Sequence, residues 1–433
     1  MMRPWHSHFV VFAAGCCVLA LCGCLFFANI LPALAQSAPA AGKAAPVSDQ
    51  ELQHLIDAQQ AAVSSGDPAQ VAGASQQLTT LAAQQMSMVT AALKQPNLPA
   101  AKAGQLKTRE QQLRQLLSNS FNNWGTAEAR QHQYQSALAH FQQAETWDAT
   151  TPGLMRNLGT AAFFLEDYPE SARALKSVVA ANPDDQRTRL MLAMSLFTIE
   201  KFADAASQFA LIGELAMQDP RAAYAWAYSL ARSSQQQHAN EIADNLAARD
   251  LAPEVRMLVC QLYTATENYE HAVPCFRKLS DANPDMPRVH YETGATLVHL
   301  DRPADAIPEL RAELKLNPED ADAQYYLAYA LLETSQKEEA LPLLRTVIAE
   351  QPNYSQAQYQ LGKVLLEDGQ TDEAIGHLEI AAKLEPVADY IHYQLQAAYR
   401  RAGRADDANR ELQVYKEIKA SHRATGPAHE NQP

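Results

Sequence analysis

From Ser118 onward the chain repeats one pattern of small and apolar residues with a period close to 34. A period of that size confines a chain to a stack of like modules, because one module cannot bury its own apolar face and must cover it against its neighbours. Nine repeats fit, near 118–151, 152–185, 186–219, 220–252, 253–286, 287–320, 321–354, 355–388 and 389–422, and the last five are in strict register.

Counted from the first residue of each repeat, position 8 is small and position 7 usually apolar, as in Trp124-Gly125, Leu158-Gly159, Leu192-Ala193, Trp226-Ala227, Thr293-Gly294 and Leu361-Gly362. Position 20 is small again, at Ala137, Ser171, Ala205, Ala239, Ala272, Ala306, Ala340, Ala374 and Ala408. One helical turn later comes an aromatic residue or leucine, such as Phe141, Phe209, Phe276, Leu344 or Leu412. Small residues let helices approach closely, so positions 8 and 20 are expected to face each other across an antiparallel helix pair. Proline at position 32, in Pro183, Pro284, Pro318, Pro352 and Pro386, stops the second helix before the next repeat begins. Each repeat reads as helix, turn, helix.

These residues resemble the tetratricopeptide repeat, whose pattern sets an apolar residue, a glycine, a later alanine, an aromatic and a closing proline at these spacings. The resemblance runs from Ser118 to His422. It implies an all-α fold, an α-solenoid of about nine helix-turn-helix repeats wound into a right-handed superhelix, with the first helix of each repeat lining a concave groove. The departures are local. Repeat 220–252 has Ala243 in place of the aromatic and no closing proline, and Gln396 replaces the small residue of the last repeat, which suits a terminal repeat with one face in water.

Ahead of the array, 48–117 has a helical pattern, of degenerate repeats or an amphipathic cap, broken at Gln95 to Pro99. Ser48 followed by Glu51 is a capping box, and Asp67-Pro68 sets a capping carboxylate before a proline at the first helical position. The stretch 36–47 is Ala- and Pro-rich and reads as a flexible or partly extended linker. Residues 1–35 read as a targeting segment: Arg3 precedes an apolar run from Phe9 to Phe27, and Ala33-Leu34-Ala35 is a small-x-small cleavage site. That run is also long enough for an uncleaved anchor, and Leu21-Cys22-Gly23-Cys24 resembles a bacterial lipobox with Cys24 as the lipidated residue. Each alternative carries the body to the cell envelope, either periplasmic, inner-membrane anchored or as a lipoprotein. At the other end, 423–433 reads as a disordered tail.

The resemblance places the groove on particular residues. Position 5 is tyrosine at Tyr224, Tyr291, Tyr325, Tyr359 and Tyr393, and stacked copies of a flat ring with a hydroxyl handle are suited to holding a peptide. Tyr329, Leu332 and Leu366 fall beside them, with Val298, His299, Lys363, Glu333 and Glu367. Arg400 and Arg401 make the end of the groove basic after an aromatic and acidic centre. Tyrosine at this position also serves to pack neighbouring first helices, so the column has a purely structural reading. A groove that clamps a terminal carboxylate needs Lys and Asn where this chain has Tyr, Ala and Glu, and that specificity is set aside.

Other chemistries find little footing. Thirty-five basic against 49 acidic residues give a net charge of −14, which repels a phosphate backbone and argues against nucleic acid. The 13 histidines show no metal-ligand spacing, no phosphate loop or nucleophile elbow is present, and no cofactor is implied. Four of the six cysteines lie in the first 35 residues, leaving Cys260 and Cys275 at positions 8 and 23 of one repeat. An exported location permits a bond between them, but pairing of position 8 with 20 argues against it. The reading that follows is a non-enzymatic protein–protein interaction scaffold of the cell envelope, holding a partner segment in its groove in envelope assembly, secretion or export. The alternative is a self-associating spacer without a client.

Overall fold

The computed structural model describes residues 48–424, all of whose regular elements are α-helices. The residues read as a targeting segment, with Cys24, those read as a linker, 36–47, and the end of the expected tail lie outside the described residues. Among the described residues the packing divides between Pro284 and Asp285 into two compact units.

The amino-terminal unit opens with three helices, α1 (Asp49–Ser65), α2 (Pro68–Leu93) and α3 (Ala100–Arg130). The Ser48 hydroxyl accepts the Glu51 amide, and the Asp67 carboxylate accepts the Ala69 and Gln70 amides, so both expected caps form. Leu52, Leu78, Met86, Leu113 and Leu117 close a core between these helices. The array start expected at Ser118 is not a boundary. Nothing between Leu117 and Asn123 breaks a helix, so α3 runs through it, and the buried Ser118 hydroxyl donates to the Ala144 carbonyl at 2.9 Å.

The unit continues with α4 (Tyr134–Trp147), α5 (Leu154–Phe164), α6 (Tyr168–Ala181), α7 (Gln186–Thr198), α8 (Phe202–Ala210), α9 (Gly213–Gln218), α10 (Pro220–Arg232), α11 (Gln236–Ala247), α12 (Pro253–Ala265) and α13 (Tyr269–Ala282). Two elements stand where one second helix was expected: α8 stops at Ala210 and α9 restarts at Gly213. A side chain on Gly213 would press on Trp226, which ties this interruption to the packing of α10. The carboxy-terminal unit consists of four pairs: α14 (Val289–His299) with α15 (Pro303–Leu316), α16 (Ala321–Glu333) with α17 (Lys337–Glu350), α18 (Ser355–Glu367) with α19 (Thr371–Leu384), and α20 (Asp389–Arg401) with α21 (Ala405–Ala424). Helix α21 has 20 residues where α15, α17 and α19 have 14, so helix covers the start of the expected tail.

Within a pair, position 8 sits over the whole turn from 20 to 24. A Cβ added at Gly159 would come 2.6 Å from Leu175, and one at Gly294 2.5 Å from Leu310. At Gly125 the added atom would also meet the Ala137 carbonyl at 2.9 Å. That register corrects the expectation for the cysteines: Cys275 lies on the turn that position 8 covers, and Cys260 and Cys275 are disulfide-bonded with Cα atoms 5.4 Å apart.

The turn between the two helices has one backbone signature. Position 15 is left-handed in all nine repeats, at His132, Glu166, Glu200, Ser234, Glu267, Asp301, Ser335, Gly369 and Gly403, with φ between 56° and 82°. Seven of these are not glycine, although the conformation is strained for any residue with a Cβ.

Candidate protein-binding surface

The carboxy-terminal unit sets its first helices side by side. Helix α14 touches α16 and α18 touches α20, and Tyr359 on α18 lies close enough to Tyr329 on α16 to act on its phenol, so the first helices form a row. Each joint is fixed by the residue at position 4. Gln324 and Gln358 donate to the Pro318 and Pro352 carbonyls at 2.8 and 2.9 Å, and His392 bridges the Pro386 carbonyl and Glu411. These side chains satisfy carbonyls that a closing proline would otherwise leave bare at the helix end.

On that row Tyr325, Tyr359 and Tyr393 each meet a neighbouring ring. Tyr325 lies 5.4 Å from Tyr326 and 5.2 Å from Tyr354. Tyr359 meets the edge of Tyr390 at 4.9 Å, and Tyr393, 56% exposed, leans on Tyr415. Tyr325, Tyr329 and Tyr359 are half-buried, each with part of its ring open. Burial pushes the Tyr325 and Tyr359 hydroxyls above the usual phenol range, so both remain protonated donors at neutral pH.

Two tyrosines of the expected column are not available in this way. Tyr224, in the other unit, is 4% exposed among Phe197 and Tyr228, and Tyr291 is 5% exposed beneath the Arg288 guanidinium, 4.0 Å from its ring centroid. Both pack neighbouring helices. Arg288 is held in turn by Asp320 at 2.8 Å.

Beside the rings runs an acidic edge. Burial raises the Tyr329 phenol, and the charges of Glu333 and Asp301 raise it further; Glu367 does the same to Tyr359. Leu332 is half-buried and Leu366 buried below them. Arg401 donates to the Leu366 carbonyl at 2.6 Å, capping α18, so its guanidinium is a joint between pairs. Arg400 is exposed next to it.

Counting only position 5 overlooked Tyr326, Tyr354, Tyr390 and Tyr415. Tyr354, the last residue of repeat 321–354, meets the position 5 ring of its own repeat, and Tyr390, at position 2 of the last repeat, meets that of the repeat before, pairings that a count along a single position does not bring out. Among the described residues no group of His, Cys, Asp or Glu could hold a metal ion, and no helix is long and apolar enough to cross a membrane.

Paired helices with a glycine-to-leucine contact, a left-handed turn and a closing proline define a helical repeat scaffold of the kind built for protein–protein interaction. The tetratricopeptide repeat model matches residues 156–220, 261–313, 296–355 and 359–421, more than half of the chain, and the chain belongs to that family. No curated protein matches it. Among solved structures, a crystal structure of MamA protein is 23% identical over 41% of this chain and 98% of its own, with a TM-score of 0.35. MamA 41-end from Desulfovibrio magneticus RS-1 is 24% identical over 39% and 96%, with a TM-score of 0.36. YrrB, described as a TPR protein with an unusual peptide-binding site, is 20% identical over 42% and 92%, with a TM-score of 0.34.

Proposed function

We propose that this chain is an interaction scaffold of the cell envelope that holds a segment of a partner protein on the tyrosine face of its carboxy-terminal unit. The observation that carries the reading is the repetition of half-open tyrosines, Tyr325, Tyr359 and Tyr393, on successive first helices. Rings locked by their neighbours lose little freedom on binding, so they favour a partner more than mobile side chains of equal area do. Envelope localisation draws support from the apolar amino-terminal run and from the Cys260–Cys275 disulfide, a bond that persists in oxidising compartments. A role in envelope assembly, secretion or export follows from that location.

The test is affinity capture from envelope extract with the wild type and the Tyr325→Ala/Tyr359→Ala variant, after circular dichroism has shown both folded. Loss of a partner from the variant alone is expected; identical captures overturn the groove reading. Cell fractionation tests the location independently, and recovery of the protein with the cytosol would refute it.

A further inference from the structure

The carboxylates on the tyrosine face indicate what a partner segment must carry. Asp301, Glu333 and Glu367 fall on three successive helix pairs, all exposed, and among the described residues none has an ion-pair partner. Two cations at the same edge are already engaged, Lys337 with Asp368 and Arg401 with the Leu366 carbonyl, which leaves Lys363, and Arg400 at the far end, against three acids. The unit itself shows how a cation fits such a setting. Arg288 lies over the Tyr291 ring while pairing with Asp320, and Arg404 lies 4.4 Å from the Tyr399 ring centroid while pairing with Asp407. A guanidinium is thus held twice by one tyrosine face and one carboxylate, the combination that the open surface also presents.

We infer, resting on the groove reading above, that the bound segment is basic: an extended chain with Arg or Lys at about every third residue, its cations seated between Tyr329, Tyr359 and the acids Glu333 and Glu367. The spacing follows from two lengths. Packed helices stand roughly 8–10 Å apart, and three residues of extended chain cover about 10 Å. One cation therefore reaches each helix pair. On α20 the residue corresponding to Glu333 and Glu367 is Arg401, so the basic run of the partner ends there.

The experiment is fluorescence anisotropy on the full chain, with a labelled peptide bearing Arg at every third position among alanines and its Glu counterpart as probes. The Arg peptide is expected to bind at least several-fold more tightly at low salt, and Glu333→Gln/Glu367→Gln should weaken it about fivefold. The same charge removed from second helices, in Glu338→Gln/Asp372→Asn, should leave binding unchanged. Equal binding of both peptides, or equal losses in the two double variants, overturns the basic-segment inference. If Tyr329→Ala/Tyr359→Ala still abolishes binding in that case, the groove reading survives; if it does not, both fall.

Discussion

The left-handed residue at position 15 gives a prediction with few confounding terms. Ser335 has φ 62°, is exposed, and is placed like Gly369 and Gly403 one and two repeats further on. Its amide donates to the Leu332 carbonyl at 3.0 Å, as the Gly403 amide donates to Arg400 at 3.1 Å, so glycine retains the turn's hydrogen bond. Holding an L-residue in this conformation costs about 1–2 kcal/mol, and glycine's greater freedom in the unfolded chain returns about 0.5–1 kcal/mol of that. Ser335→Gly should therefore stabilise the protein by about 0.5–1 kcal/mol. The reciprocal change isolates the backbone, because a Cβ on Gly403 would meet nothing within 4 Å: Gly403→Ser should destabilise by about the same amount. Urea denaturation followed by far-ultraviolet circular dichroism measures both, with an unchanged m-value as the control. A neutral or destabilising Ser335→Gly at constant m would refute the strain argument.

Other outcomes follow from the packing. Gly294→Ala places a methyl 2.5 Å from Leu310 between two helices and should cost about 1–3 kcal/mol, whereas Gly73→Ala, with open space around it, should not; equal effects would show that the close approach is unimportant. Burial raises the Glu313 carboxyl above its ordinary range even though it accepts the Tyr291 amide at 3.2 Å. The folded state therefore keeps this proton to higher pH, and the associated stability is complete below the unfolded pKa and lost as pH rises through the folded one. Glu313→Gln should thus gain stability relative to wild type between weakly acidic and neutral pH, and parallel pH profiles would count against it. Reducing Cys260–Cys275 opens a closed segment of 15 residues and should lower stability by about 3 kcal/mol in the chain-entropy picture; unfolding curves with and without reductant decide this.

What was legible in the sequence was whatever a repeat enforces by size. Glycine at 125, 159, 294 and 362 and the prolines at position 32 leave no room for alternatives, so the helix pairs could be read directly. The turn at position 15 was not, because only Gly369 and Gly403 advertise it while Glu, Ser, Asp and His adopt the same backbone elsewhere. The disulfide was missed for a geometric reason: opposing position 8 to a single residue ignores that a helix presents a full turn, which brings Cys275 within reach of Cys260. Of the surface, the tyrosine column was visible as a period, but burial was not. Tyr291 and Tyr325 share a position, and it is Arg288 lying over one ring that separates their fates.

The link between a closing proline and the residue six places later has a consequence for how such a chain grows and shrinks. Gln358 holds the Pro352 carbonyl, and Gln324 holds Pro318 in the same manner. Cutting out residues 321–354 would leave Gln358 six residues beyond Pro318, with the same donor meeting the same acceptor. The information for joining two modules is thus written within a few residues on either side of the seam, so a gene that gains or loses one whole period inherits a ready-made joint, while an insertion of any other length must build one.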